Sequence, residues 1–224
     1  MEFALLHSPL VGPGTWRWVA AALAQTGHEV AVPDLRDAAV TGDRDAVLAA
    51  AVAVIRPEWT APVVVGHSGA GSLIPSVAGR LGTASCTLVF VDAGLPPCEG
   101  TASPGGDFID RLRALALDGV LPRWSTWWGD DAMARLVPDA DRRRVLEAEM
   151  PEVPLAYFES AFEVPERWCE SRGSFLLLSE SYRGDLERSR ALGWPTVERL
   201  GGHLDIVNDP EDIARAVVEL VDRP

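Results

Sequence analysis

Ser68 and His203 are the residues whose setting points most directly to chemistry. Ser68 closes the run Val63-Val64-Val65-Gly66-His67-Ser68, and a helix-like segment from Gly71 to Leu81 follows at once. A strand that turns this sharply into a helix lifts a serine hydroxyl above the sheet edge, as a nucleophile elbow does. Small residues must flank such a serine, because a bulky side chain would strike the strand or the helix. Gly66 fits two positions before it; two positions after stands Ala70, a departure from G-x-S-x-G. A serine hydroxyl is a poor nucleophile until a base within hydrogen-bond reach takes its proton. His203, between Gly201-Gly202 and the helix expected from Pro210, is the candidate base. The base needs a carboxylate to orient it. Asp92 ends an apolar strand, while Glu180 and Asp185 lie in Ser179-Glu180-Ser181-Tyr182-Arg183-Gly184-Asp185, each at an awkward position.

The remaining reactive side chains read more plainly. His67 is expected to pack beside the elbow, His7 to brace the loop after the first strand, and His28 to face solvent. Cys86, Cys98 and Cys169 are odd in number and lack C-x-x-C spacing. No disulfide framework or zinc site is therefore expected, and a reducing cytoplasm is the default. Cys86 reads as core filler. No metal constellation, phosphate-cradling glycine loop or dinucleotide fingerprint is present, so no cofactor is expected. Asp130, Asp131 and Asp139-Ala140-Asp141-Arg142-Arg143-Arg144 read as solvated faces and helix-start charges.

These residues need elements to hold them. Strands are expected at 2–7, 28–33, 63–66, 86–91, 174–178 and 196–200. Helices are expected at 15–25, after Asp43, at 71–81, 185–192 and 210–221. Alternation of this kind implies a mostly parallel, doubly wound α/β sheet of about six strands with right-handed crossovers. Ligands of such sheets lie beyond the strands' carboxyl ends, at the switch point of strand order. The loops holding Ser8, Ser68, Asp92, Tyr182 and His203 all land there. Residues 98–173 break the rhythm: they show helices (107–117, 139–150, 154–162) and no strand signal. They are expected to form a helical lid inserted after the fourth strand, with 1–97 and 174–224 as the core. Trp124, Trp127 and Trp128 cluster in that lid, which suggests a largely apolar pocket.

The 224 residues suit one sizeable core. The net charge is −13 and every basic residue is arginine, which argues against nucleic acid or an anionic membrane as partner. No apolar run has the length of a membrane span, and the opening residues lack a basic leader segment. A soluble, cytoplasmic protein acting on a small molecule is expected; the oligomeric state stays open.

With His7-Ser8-Pro9, Gly66-His67-Ser68-Gly69-Ala70 and Gly201-Gly202-His203 each ending a strand, the chain resembles the α/β-hydrolase superfamily over nearly its whole length. It is most similar to small bacterial members near the plant-type esterases and hydroxynitrile lyases. The resemblance implies that fold without its first hairpin, a place in secondary metabolism, and a triad of Ser68, His203 and an acid. Most relatives carry the acid where Tyr182 stands here; one branch, pancreatic-type lipases among them, places it where Asp92 stands. Asp92 is therefore the expected acid and Glu180 the alternative. One oxyanion donor is expected at the Gly69 amide. The other usual donor falls at Pro9, which has no N–H, so either the Leu10 amide or the Ser8 hydroxyl must replace it. Hydroxynitrile lyases use a hydroxyl at the position of Ser8. The expected activity is hydrolysis of an ester, thioester or related acyl bond. The alternatives are a lyase, cyclase or dehydratase using the same serine and histidine, and a non-catalytic small-molecule binding protein.

Overall fold

The computed structural model describes residues 1–82, 86–103, 106–129 and 131–223; Asp130, expected on a solvated face, lies outside them. Six strands, β1 (Glu2–Leu6), β2 (Glu29–Ala31), β3 (Val63–Ser68), β4 (Thr87–Ala93), β5 (Gly173–Leu177) and β6 (Thr196–Glu198), form one sheet. All neighbours run parallel, in the spatial order β2-β1-β3-β4-β5-β6. The strands are apolar on both sides, so both faces must be covered. Side chains alternate between two cores: Ala4, Leu6, Val64, Leu88, Phe90, Phe175 and Leu177 enter one. Phe3, Leu5, Val63, Val65, Val89, Val91 and Leu176 enter the other.

Helices α1 (Arg17–Gln25) and α7 (Pro210–Asp222) cover the second core. Helices α2 (Arg44–Ala53), α3 (Ile74–Leu81) and α6 (Arg183–Ala191) cover the first. The Asp43 carboxylate accepts from the Asp45 amide and caps α2, as a short acceptor at that position should. Strand order reverses between β1 and β3, since β1 leads outward to β2 and the chain then crosses back to β3. The loop after β1 and the elbow after β3 therefore sit side by side.

The segment between β4 and β5 holds α4 (Gly106–Leu115), α5 (Ala140–Glu149) and shorter turns. It also holds strands, contrary to the expectation from sequence. Thr101–Ala102 pairs with Phe162–Glu163, and Val120–Leu121 with Val153–Pro154, in antiparallel ribbons. Two-residue strands are too short for any periodicity to register. A short helix, Ala132–Leu136, and a turn of helix at Arg36–Ala39 also differ from expectation.

The cysteine reading is overturned as well: Cys98 and Cys169 form a disulfide. They sit at the two ends of the insertion, 71 positions apart, so spacing alone gave no sign of proximity. Cys86 is half-buried against the first core. His28 does not simply face solvent; its ring meets Phe3 edge-on with centroids 5.3 Å apart.

Side chains tie the insertion to the sheet. Glu149, at the end of α5, accepts from the Gly14 amide at 2.6 Å. Arg44 lays its guanidinium over the Phe162 ring, and Asn208 donates to the Leu136 carbonyl at 2.8 Å. Among the described residues no helix is long and apolar enough to cross a membrane.

Candidate active site

Ser68 is held at φ +57°, ψ −125°, a region that costs a non-glycine residue free energy. The turn around it is tightly packed. A Cβ at Gly66 would lie 2.8 Å from Ile74, and one at Gly71 would collide with the Gly94 carbonyl. Ala70 is fully buried and its methyl is accommodated, so the departure from G-x-S-x-G is harmless here. The position that demands glycine is one further on, at Gly71.

Asp92 also has positive φ, +43°, a conformation aspartate tolerates better than most residues. Its carboxylate is completely buried and saturated with donors. Oδ1 accepts from the amides of Leu178 (2.9 Å) and Ser179 (2.8 Å). Oδ2 accepts from the Ser179 hydroxyl (2.6 Å) and from His203 Nδ1 (2.7 Å). Burial alone would raise the carboxyl pKa, but the hydrogen bonds from His203, Ser179 and Leu178 outweigh it and hold it below the usual range. Of the three candidate carboxylates, this is the one that meets His203. Glu180 pairs with Arg183 at the surface. Asp185 accepts from the Leu95 amide at 2.9 Å, and burial raises its pKa. Bracing of the loop before Pro96 falls to Asp185 and to Arg188, which donates to the carbonyls of Leu95 and Pro96.

Because Asp92 accepts at Nδ1, the proton of a neutral His203 ring sits there and Nε2 carries the lone pair. His67 donates from Nε2 to the His203 carbonyl at 2.9 Å, and the two rings lie 4.4 Å apart. Burial lowers the His67 pKa strongly, and the neighbouring His203 pushes it the same way. His67 is thus a neutral brace for the loop that carries His203.

His7 braces the loop after β1. Its Nε2 accepts from the Leu35 amide (3.0 Å), so Nδ1 carries the proton and donates to the Ser8 carbonyl (2.8 Å). Burial brings the His7 pKa down to about 4, although the bond to Ser8 opposes this. Ser8 Oγ accepts from the Leu10 amide at 3.3 Å, which leaves its own proton to donate elsewhere. A Cβ on Gly69 would lie 2.7 Å from that oxygen, so the Ser8 hydroxyl adjoins the elbow backbone. The Leu10 amide is committed to Ser8.

Ser8, Leu10, Val11, His67, Ser68, Trp124 and His203 share the lining of one cavity of about 20 Å³. The structure thus brings residues 68 and 203 to one rim. Among the described residues, however, Ser68 Oγ hydrogen-bonds Tyr182 Oη, at 3.3 Å, and not His203. Tyr182 stacks on the imidazole of His203, with centroids 5.5 Å apart and planes at 16°. Of the tryptophans expected around the pocket only Trp124 reaches it. Trp127 donates to the Pro122 carbonyl (2.8 Å), and Trp128 lies exposed under the Arg111 guanidinium. Both were drawn in by sequence proximity to Trp124, but successive residues of a helical turn point in different directions. Sequence reasoning passed over Ser179 and Val11. A single serine after a strand gives no signal of its own, and the Asp92 it serves is 87 positions away.

Among the described residues no group of three or more His, Cys, Asp or Glu is arranged to hold a metal. The arrangement sets a serine and a carboxylate-oriented histidine on one cavity, with the Ser8 hydroxyl beside them.

No protein-family model and no curated protein matches the chain. Solved structures do. An extracellular α/β-hydrolase from a Paenibacillus species, described as homologous in structure and function to tobacco salicylic acid binding protein 2, superposes with a TM-score of 0.75 at 19% identity, over 98% of each chain. A pyrethroid hydrolase gives 0.75 at 16% identity, over 100% of this chain and 98% of its own. Tomato methylketone synthase I gives 0.70 at 14%, over 99% and 97%.

Proposed function

Since the chain has the α/β-hydrolase fold, we propose that it is a serine hydrolase, cleaving an ester, thioester or related acyl bond of a small, largely apolar molecule. One observation carries this reading: His203 Nδ1 is held 2.7 Å from the buried Asp92 carboxylate, while the ring lines the same cavity as Ser68. In the proposed reaction Ser68 Oγ bonds to the acyl carbon and its proton passes to His203 Nε2. His203 then gives that proton to the leaving group. Water repeats the cycle: it loses a proton to His203, adds to the acyl carbon and expels Ser68 Oγ, which takes the proton back. Asp92 holds the tautomer and stabilises the imidazolium. The Gly69 amide and the Ser8 hydroxyl stabilise the oxyanion, with Ser8 in place of the amide that Pro9 lacks.

A cavity of about 20 Å³ has room for about one water molecule. Substrate entry therefore requires the segment around Trp124 to move, which gives the insertion the role of a lid. The Cys98–Cys169 bridge fits an oxidising compartment better than the reducing cytoplasm expected from cysteine count.

The second reading keeps the residues and drops hydrolysis. A side-chain hydroxyl at Ser8, adjoining Gly69, can bind a substrate hydroxyl as readily as an oxyanion, which suits a lyase or cyclase. Labelling with a fluorophosphonate separates the readings. Hydrolysis requires label on Ser68 and turnover of a p-nitrophenyl ester that Ser68→Ala abolishes. Label without ester turnover moves the assignment to non-hydrolytic chemistry. Absence of label, with a small molecule still bound, leaves a binding protein.

A further inference from the structure

Asp92 supplies the carboxylate beside His203 from the end of β4, so the loop after β5 need not supply one. The position of Tyr182 is thereby freed for something else, and the side chain found there touches the reacting atoms. Its hydroxyl is 3.3 Å from Ser68 Oγ and its ring lies nearly parallel to His203. It approaches from the loop after β5, whereas Ser8 arrives from the loop after β1, on the other side of β3 in the sheet order. Tyr182 is therefore placed on the side away from Ser8 and beside the nucleophile itself.

We propose that Tyr182 is a further catalytic residue, whose phenol donates a hydrogen bond to Ser68 Oγ and assists the departure of that oxygen when the acyl-enzyme breaks down. This rests on the serine hydrolase reading given above. The direction of the bond follows from acidity: a phenol is a better donor than an alcohol, and the serine proton has to go to His203. Burial keeps the phenol protonated, raising its pKa to about 12, so it remains a donor throughout the working pH range.

The acceptor strength of Ser68 Oγ changes along the reaction, and that change decides which step benefits. As an alcohol it is a good acceptor; as the bridging oxygen of an ester it is a poor one. As it is expelled it carries developing negative charge and is a strong acceptor. A donor fixed at Tyr182 therefore stabilises the expulsion step relative to the acyl-enzyme. It stabilises the acylation transition state too, where Oγ carries similar developing charge, but gains less there because the alcohol of the free enzyme already accepts the bond well. Only an interaction stronger in a transition state than in the state before it accelerates that step. The carbonyl carbon–Oγ bond breaks, the carbonyl re-forms, and Oγ takes its proton from His203; Tyr182 keeps its own proton.

The test is Tyr182→Phe, which retains the ring against His203 and removes only the hydroxyl. With a p-nitrophenyl ester turned over by the natural protein, kcat is expected to fall roughly 10- to 100-fold, the range for one hydrogen bond to a charged group. KM should fall in parallel, leaving kcat/KM within about 3-fold. A burst of one p-nitrophenol per enzyme should appear, and intact mass should show Ser68 acylated at steady state. The fluorophosphonate labelling rate, which reports attack alone, should stay within about 3-fold. A structural role for Tyr182 predicts instead that kcat/KM and labelling fall together, without a burst, and that outcome overturns the proposal, as does an unchanged kcat. If the natural protein neither labels at Ser68 nor turns over any ester, the hydrolase reading itself has failed and Tyr182 falls with it. Label with turnover in the natural protein, but no burst in the variant, rejects Tyr182 alone.

Discussion

Reduction of the Cys98–Cys169 bridge is expected to destabilise the folded chain by an amount that its topology sets. The bridge closes a loop over 71 positions, which contains nearly the whole insertion between β4 and β5. In the chain-entropy account, removing a cross-link over a loop of that length costs about 4.4 kcal/mol at 25 °C. With about 2.1 cal/mol/K of unfolding entropy per residue, 224 residues convert that cost into a fall in Tm of about 9 °C. Neighbouring contacts remain when the bridge is cut: Trp168 still donates to the Pro97 carbonyl at 2.7 Å and Arg188 still holds Leu95 and Pro96. They keep the stems of the insertion together in the folded state, so the effect acts chiefly through the unfolded chain. The assay is a thermal melt with and without a strong reductant, paired with a thiol titration on each sample and with a Cys98→Ser, Cys169→Ser double variant. The oxidised sample should release no thiol from this pair until reduced, and the double variant should melt where the reduced protein melts. A reduced sample with an unchanged Tm would refute the loop-entropy argument. Thiols at both positions titratable before reduction would refute the bridge.

Three further outcomes follow from the site. Asp92→Asn should lower kcat for an ester roughly 10³- to 10⁴-fold, as loss of the orienting acid does elsewhere, while Glu180→Gln, whose partner is Arg183, should leave kcat within about 2-fold in the same assay. Ser8→Ala should lower kcat about 10²-fold if its hydroxyl replaces the amide missing at Pro9, and Ser8→Thr should retain most of the activity. Acid should unfold the protein early, because His7, held at about 4, and His67, held low by burial, bind protons more readily unfolded than folded. Their contribution is complete above the unfolded value of about 6.5 and is lost as pH falls from there towards 4, at up to about 1.4 kcal/mol per pH unit for each group. Tm measured between pH 7 and pH 4.5 should fall accordingly, and His7→Gln should flatten the slope; an equal slope in that variant would sink the assignment.

The parallel sheet was legible in the sequence because six apolar runs alternate with amphipathic stretches, and both signals are local. Local, too, is the elbow: Gly66, Ser68 and the small Ala70 announce a tight turn before any contact is known, while the need for glycine at Gly71 shows only in its contact with Gly94. The identity of the carboxylate beside His203 was not local. Asp92, Glu180 and Asp185 are chemically equivalent as side chains, and resemblance to one branch of relatives was what put Asp92 ahead of Glu180. The choice among them was made by a positive φ at Asp92, by two amides and a hydroxyl at Leu178 and Ser179, and by arginines that engage Glu180 and Asp185. Nor did spacing reveal the bond between Cys98 and Cys169, since the intervening 70 residues fold back upon themselves through ribbons only two residues long. What the polymer dictates by itself is where strands begin and turn, because that depends on neighbours in sequence; which oxygen meets which nitrogen at the sheet rim is settled by packing between segments far apart along the chain.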